Sequence, residues 1–369
     1  MAPGAFENVS DDGGGDASEA DVTARSVASD SGDAAPDDDA GDASGTDGSS
    51  IGPDVTPAVY APLRFSEIGP AAKVSGQFYF TEGPVWDPTN NVLYFTDINA
   101  HQGTATVGAI YTLTLPSTFA ILLEPDGNAD GLGLDPAGNL IAAGYGSRSI
   151  WRLSSPTTMT TLSPCSGSKP TCYQGQEVNT PDDITSRSDG TLYFTDPTFG
   201  QSLAQGSFAL SGAEGVYRLT KDGVLHLEDA STGGPNGVTL SPDEKTLYVA
   251  YTSLNTVARF TVAVDGSLSQ KSTFVSATLA DSMCVDAGGD LFVGTARGLE
   301  VFGPTGGAAL GTIAVGGDVA TNCAFGGVDQ TTLFITSHSQ ATLTATPTAG
   351  SSSLYEVDGM PVPGIPGRN

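Results

Sequence analysis

The chain has 369 residues, a formal net charge of −28 and an acidic pI of about 4.1. An acidic body with no Lys/Arg patch argues against nucleic acid or an anionic membrane as a partner. No apolar run approaches the roughly 18–20 residues of a membrane span.

The charge is unevenly placed. Residues 1–50 hold 13 Asp/Glu against one basic residue, Arg25, with much Gly, Ala and Ser and a single aromatic, Phe6. Such a segment buries too little apolar surface to offset the entropy of ordering it, so residues 1–54 are expected to form a disordered acidic tail. Residues 55–369 are ample for one large β domain. The N-terminus as given shows no apolar core of a signal peptide. The tail suits a spacer behind a removed export signal or lipid anchor, and it also suits a cytoplasmic tail.

From residue 73 onward, short alternating apolar runs are bounded by Asp-Gly, Pro-Asp or Asn-Asn turns, and Gly is abundant, at 48 residues. This is an all-β pattern. Six segments align in register. They run Glu82 to Asp97, Asp130 to Gly144, Asp182 to Asp196, Asn236 to Tyr251, Asp281 to Thr295 and Asn322 to Ser337. Their start-to-start spacings are 48, 52, 54, 45 and 41 residues. A repeat of about 40–50 residues with roughly four strands is a β-propeller blade, so a six-bladed β-propeller is predicted. The last unit lacks a fourth strand downstream of 353–357. The segment 73–79, ahead of the first repeat, is expected to supply it and close the ring.

The innermost strand of each blade lines the channel and begins at one mouth. The topology therefore gathers Glu82, Asp130, Asp182, Asn236, Asp281 and Asn322 around one opening, beneath the loops that follow each second strand. Four carboxylates and two amides crowded together repel one another unless a cation sits among them. Oxygen donors without His or Cys favour Ca²⁺ or Mg²⁺ over Zn²⁺, with Mn²⁺ also suited. Asp and Asn also start strands and make turns for purely local reasons, but a column filled in all six units goes beyond that.

Several motifs then resemble one family. These are Phe80-Thr81-Glu82-Gly83-Pro84-Val85-Trp86, Pro181-Asp182-Asp183, Leu192-Tyr193-Phe194-Thr195-Asp196-Pro197, Gly234-Pro235-Asn236-Gly237, Asp281-Ser282-Met283-Cys284-Val285-Asp286 and Thr321-Asn322-Cys323-Ala324-Phe325-Gly326-Gly327. The stretch from about 73 to 358 resembles the gluconolactonase / senescence-marker-protein (regucalcin-like) family. The resemblance implies a divalent-metal-dependent hydrolase that opens sugar lactones, with one divalent metal in the channel, Ca²⁺ first, Mg²⁺, Mn²⁺ or Zn²⁺ otherwise. It implies Glu82, Asn236 and Asp281 as metal ligands, with Asp182 where bacterial members usually carry Asn, and Ser282 where many carry Gly. Asn128 and Asp130 fall where the family contacts substrate, with the surrounding motif shifted.

A mechanism follows as an expectation. The metal polarises the lactone carbonyl, and a carboxylate beside it, Asp281 first and Glu82 with it, serves catalysis by taking a proton from water. A phosphotriesterase on the same ring, or a non-catalytic Ca²⁺-stabilised propeller that binds a partner, remain alternatives. Tyr145, Phe199 and His101 fall on rim loops, where they are candidates to contact a sugar ring, against ordinary rim packing; His338 is a fourth rim residue. Gly48-Ser49-Ser50-Ile51-Gly52 fits a nucleophile-elbow pattern but has no strand or helix around it.

Cys165 and Cys172 bracket a short polar loop and are disulfide candidates, which would imply an oxidising compartment. Cys284 and Cys323 lie in apolar strands and read as buried thiols. An extracytoplasmic location, periplasmic or secreted, is favoured over a cytoplasmic one. The expected partner is a small-molecule lactone, and the chain is expected to be a monomer.

Overall fold

The computed structural model describes residues 60–98, 108–155, 158–165, 170–198, 214–230, 233–316, 318–340 and 348–367, all within the unit Pro57–Asn369. The tail expected at 1–54 lies outside the described residues, as do His101 and Phe199.

Strand β1 (Ala72–Phe78) precedes six consecutive four-stranded units. Blade 1 is β2 (Thr81–Asp87), β3 (Val92–Asp97), β4 (Ala109–Thr114) and β5 (Thr118–Leu123). Blade 2 is β6 (Ala129–Leu134), β7 (Leu140–Gly144), β8 (Ser149–Ser155) and β9 (Thr158–Thr161). A small hairpin, β10 (Cys172–Tyr173) and β11 (Gln176–Glu177), leads into blade 3. That blade is β12 (Ile184–Ser186), β13 (Leu192–Asp196), β14 (Gly215–Leu219) and β15 (Leu225–Asp229). Blade 4 is β16 (Pro235–Leu240), β17 (Thr246–Tyr251), β18 (Thr256–Val262) and β19 (Leu268–Ser276). Blade 5 is β20 (Met283–Val285), β21 (Leu291–Thr295), β22 (Gly298–Phe302) and β23 (Gly311–Ile313). Blade 6 is β24 (Val319–Gly326), β25 (Thr332–His338) and β26 (Ser352–Val357). Its outer strand is β1, antiparallel to β26 with Ala72 opposite Glu356. The all-β, six-bladed propeller closed by an N-terminal strand is thus the observed architecture, and closure leaves blade 6 complete.

Strand alternation explains why the repeats stack. In β13, Leu192 and Phe194 point one way, into a cluster with Ile141, Ala143 and Ile150 of blade 2. Tyr193 points the other way, into a cluster with Val238, Leu247 and Val249 of blade 4. Side chains of period two therefore feed two different interfaces. The same logic gives six apolar clusters, one between each pair of adjacent blades. Blades 6 and 1 meet through Phe78, Phe334 and Leu354 against Trp86, Phe95 and Leu113. Trp86 and Phe334 stack there with ring centroids 5.9 Å apart.

Both cysteine pairs are bonded. Cys165–Cys172 closes the loop ahead of β10. Cys284 and Cys323 also form a disulfide, with Cα atoms 5.5 Å apart, which corrects their reading as separate thiols. They face each other from the innermost strands of blades 5 and 6, both fully buried, so 39 residues of sequence separation conceal a direct contact.

The C-terminal segment runs past the last blade rather than ending at it. Met360 N–H donates to Thr331 O at 2.8 Å, Gly364 N–H to Gln330 O at 2.9 Å, and Ala287 N–H to Pro363 O at 2.8 Å. It passes from blade 6 to the turn of blade 5 and reaches Leu134 of blade 2 at Gly367. The strap lies at the end where the first hairpin of each blade turns. There a cleft of about 400 Å³ opens, lined by Asp87, Asp135, Arg187 and Pro366 among others. This is the end opposite the acidic residues that begin the inner strands.

Candidate active site

Bulges lie at or beside the ring residue in four blades; Asp130 and Asn236 fall inside them, while Glu82 pairs with Thr96 and Asn322 with Thr336 at their edge. Register breaks between Glu82 and Val85, Ala129 and Leu132, Pro235 and Val238, and Ala320 and Asn322. A bulge bends the strand and turns the extra residue out of the ladder. In blades 3 and 5 the regular strand begins only after the ring residue. Asp182 N–H still reaches Thr195 O at 3.0 Å, and Asp281 N–H reaches Gly294 O at 2.9 Å.

The position after each ring residue faces the next blade at close range. Gly83 has φ of +49°, and a Cβ there would lie 2.2 Å from Asp130 O. Gly131 is equally tight, with a Cβ position 2.4 Å from Asp183 Oδ1, and its N–H donates to Asp182 O at 2.7 Å. Glycine is required at both sites by steric exclusion. In blade 3 the same position holds Asp183, which is fully buried. Its Oδ1 accepts Ile184 N–H at 2.9 Å and its Oδ2 accepts Val238 N–H at 3.0 Å, stitching blade 3 to blade 4. Burial pushes Asp183 up to about 7. Its presence in Pro181-Asp182-Asp183 was the visible signal, although it was not singled out as a site residue.

Five of the six predicted ring residues, Glu82, Asp130, Asp182, Asn236 and Asp281, interact with one another. Glu82, Asp130, Asp182, Asn236 and Asn322 are buried and Asp281 is partly exposed. Glu82 is pushed well above the usual carboxylate range, first by burial, then by Asp281 and Asp182. Asp130 is raised by burial and then by Asp182, Glu82 and Asp281. Asp182 is raised by burial and then by Asp281 and Asp183. Asp281 is pushed up to about 7 by burial, tempered by a hydrogen bond from Asn236. Ser282 Oγ donates to Asn236 Oδ1 at 3.5 Å, so the Asn236 amide is held between Ser282 and Asp281. Asn322 turns its Oδ1 back to accept Cys323 N–H at 2.7 Å.

Tyr145 sits over this group. It is buried, and its phenol is raised by desolvation and then by Asp182, Asp130, Asp281 and Glu82. Asn128 is fully buried beneath Gly146, whose N–H donates to Asn128 O at 3.2 Å. His338, at the end of β25, stacks on Phe80 with centroids 4.6 Å apart.

Three arginines of the described residues are engaged elsewhere. Arg148 pairs with Glu177, Arg152 with Asp135 at 2.7 Å, and Arg218 with Glu228 at 2.6 Å. Among the described residues no three His, Cys, Asp or Glu side chains gather at ligand distance from one point. The donor chemistry nonetheless fits a hard divalent cation. The donors are all oxygens, desolvated and mutually repelling.

Residues 80–339 match the SMP-30/gluconolactonase/LRE-like region. The chain belongs to this family. A gluconolactonase of Zymomonas mobilis is 29% identical over 296 residues, covering 73% of this chain and 79% of its own. The solved gluconolactonase of Xanthomonas campestris superposes with a TM-score of 0.66 at 28% identity, over 79% of this chain and 89% of that one. A calcium-binding regucalcin of Agrobacterium tumefaciens shares the SMP-30/gluconolactonase-family fold, with a TM-score of 0.61 at 18% identity, over 81% and 96% of the two chains.

Proposed function

We propose that this family member is a lactonase of the gluconolactonase type, dependent on one divalent metal, Ca²⁺ first. The observation that carries this reading is the group of desolvated carboxylates with Asn236 at one mouth of the channel. Relatives named as gluconolactonase and, over 129 residues at 31% identity, as pentonolactonase XacC of Haloferax volcanii support a lactone substrate.

Glu82, Asp182, Asn236 and Asp281 would hold the metal. A bound divalent cation supplies Lewis-acid polarisation of a carbonyl. The chain's own residues do the rest. Asp281, the most accessible ring carboxylate, takes the proton of the attacking water, while the Asn236 amide fixes its orientation. Glu82 lies among the ring carboxylates as the longest acid and anchors the site. The Tyr145 hydroxyl, near enough to Asp182 and Asp130 to feel their charge, would donate to a substrate oxygen. The tetrahedral intermediate then breaks its ring C–O bond, and the leaving oxygen takes back the proton held by Asp281, which opens the lactone to a hydroxy acid.

Two disulfides, one linking two blades, favour folding in an oxidising compartment, and we place the protein outside the cytoplasm on that ground. The test is a pH-indicator screen of sugar lactones with Ca²⁺, Mg²⁺, Mn²⁺ and Zn²⁺, with and without chelator. Turnover lost on chelation, in protein that stays folded, is expected. Folded protein that opens no lactone in any metal would sink the reading. Asp281→Asn with full metal-dependent activity would sink the base assignment.

A further inference from the structure

The chain enters each inner strand from the rim, before ladder pairing begins. An N–H at that point has no strand partner, and where it is buried it must find another acceptor. In five blades, the N–H two residues ahead of the ring residue is taken by a side-chain oxygen. Phe80 N–H, ahead of Glu82, donates to Asp97 Oδ1 at 2.8 Å. Asn128 N–H, ahead of Asp130, donates to Asp126 Oδ1 at 2.8 Å. Thr180 N–H, ahead of Asp182, is held by Asp196. Gly234 N–H, ahead of Asn236, donates to Glu214 Oε2 at 3.0 Å. Leu279 N–H, ahead of Asp281, donates to Asn255 Oδ1 at 2.8 Å.

Blade 6 accounts for itself. There the strand already begins at Val319, and Ala320, two ahead of Asn322, is paired with Ser337 in the ladder. The capped blades are those whose strand starts later than that position: Thr81, Ala129, Ile184, Pro235 and Met283. Four of the caps grip a second N–H: Ala129 N–H is held by Asp126, and Thr198 N–H reaches Glu214 Oε1 at 3.3 Å. Tyr79 N–H reaches Asp97 Oδ1 at 3.0 Å, and Asn179 N–H reaches Asp196 Oδ2 at 2.8 Å. Asp97, Asp126 and Asp196 are buried, Glu214 is half-buried and Asn255 is exposed.

We infer that Asp97, Asp126, Asp196, Glu214 and Asn255 are positioning residues for the active site, a collar of side-chain oxygens that sets how each ring residue is aimed into the channel. Each acts through the backbone of the segment it grips. Fixing a backbone two residues upstream of a bulge limits the directions its side chain can take, and groups that orient a site's donors typically carry a factor of about 10–100 in affinity or rate.

The proposal rests on the lactonase reading only for its catalytic readout, and the experiment keeps the two apart. Asp97→Ala and Asp196→Ala are compared with Asp97→Asn and Asp196→Asn, whose amide oxygen still accepts. Asp87→Ala is the control. Asp87 Oδ1 accepts Thr89 N–H at 2.8 Å and Asn90 N–H at 3.1 Å in a turn at the opposite end. Hydrogen exchange should quicken in residues 79–83 for Asp97→Ala and in 179–183 for Asp196→Ala. Ca²⁺ affinity by calorimetry should fall about 10–100-fold, with kcat at saturating Ca²⁺ reduced and both restored in the Asn variants. Asp87→Ala should lower stability and leave both ring readouts unchanged. Unchanged exchange in those segments, or Ca²⁺ affinity that falls equally in Asp87→Ala, would overturn the collar. Glu214→Ala, which removes one cap from a half-buried side chain, carries the comparison if the aspartate variants do not fold. A wild type that binds no Ca²⁺ and opens no lactone would overturn the lactonase reading, while exchange still decides the collar.

Discussion

Removing the Cys284–Cys323 disulfide should cost this protein more than removing Cys165–Cys172. Both bonds restrict the unfolded chain, and the restriction grows with the loop they close. The first closes a separation of 39 residues and the second a separation of 7. The loop-entropy relation gives about 3.9 kcal/mol at 25 °C for the long loop and about 2.4 kcal/mol for the short one. The larger bond also joins two inner strands whose neighbouring residues, Asp281 and Asn322, belong to the ring, so its loss acts at the interface of blades 5 and 6. Denaturant unfolding of Cys284→Ala/Cys323→Ala and Cys165→Ala/Cys172→Ala, each against the wild type, measures both losses. The Cys284/Cys323 variant should be the weaker by about 1.5 kcal/mol, plus whatever the fully buried alanines leave unfilled. A smaller loss in that variant than in the loop pair would refute the reasoning, because loop length and burial both point the other way.

Gly131→Ala would place a methyl group 2.6 Å from Asp183 Cα, so it should lower stability by about 1–3 kcal/mol and abolish lactone turnover, as checked by thermal unfolding and the lactone assay. Asp286, fully buried in the turn beneath the C-terminal strap, is pushed up to about 7 by burial and then by Asp290. In the unfolded chain the same group loses its proton near pH 4. Between about pH 4 and 7 the folded protein therefore holds the extra proton, and stability falls as pH rises through that window. Asp286→Asn should flatten the fall, by as much as about 3–4 kcal/mol between pH 4 and 8; parallel stability–pH curves for the two proteins would contradict this. Asp182→Asn should weaken Ca²⁺ binding by about tenfold or more, equivalent to about 1.4 kcal/mol, while turnover at saturating Ca²⁺ holds or rises, because one fewer carboxylate leaves the cation a stronger Lewis acid. Calorimetry with metal-titrated kinetics checks it, and tighter binding in the variant would refute the role given to Asp182.

What could be read from the sequence is what repeats. Leu192-Tyr193-Phe194 alternates because each strand feeds two blade interfaces, and that alternation recurs in every unit, so blade number, strand order and ring closure were all visible. The ring residues were visible for the same reason: topology places them at one position in every blade. Features that occur once were hidden. The strap at 360–367, rich in Pro and Gly, follows no strand period and binds through backbone N–H groups. The Cys284–Cys323 bond spans two repeats. The caps are the instructive case, because the requirement repeats while its solution does not. Every inner strand that starts late leaves an N–H outside the ladder to satisfy, yet the acceptor comes from the end of a second strand (Asp97, Asp196), from the lead-in itself (Asp126), from the start of a third strand (Glu214) or from a left-handed residue after a short turn (Asn255). The rim loops differ in length and path, so the nearest available oxygen differs in sequence position. Aligning the units column by column therefore recovers the ring and loses the collar, and only the hydrogen bonds reveal that five different positions perform one task.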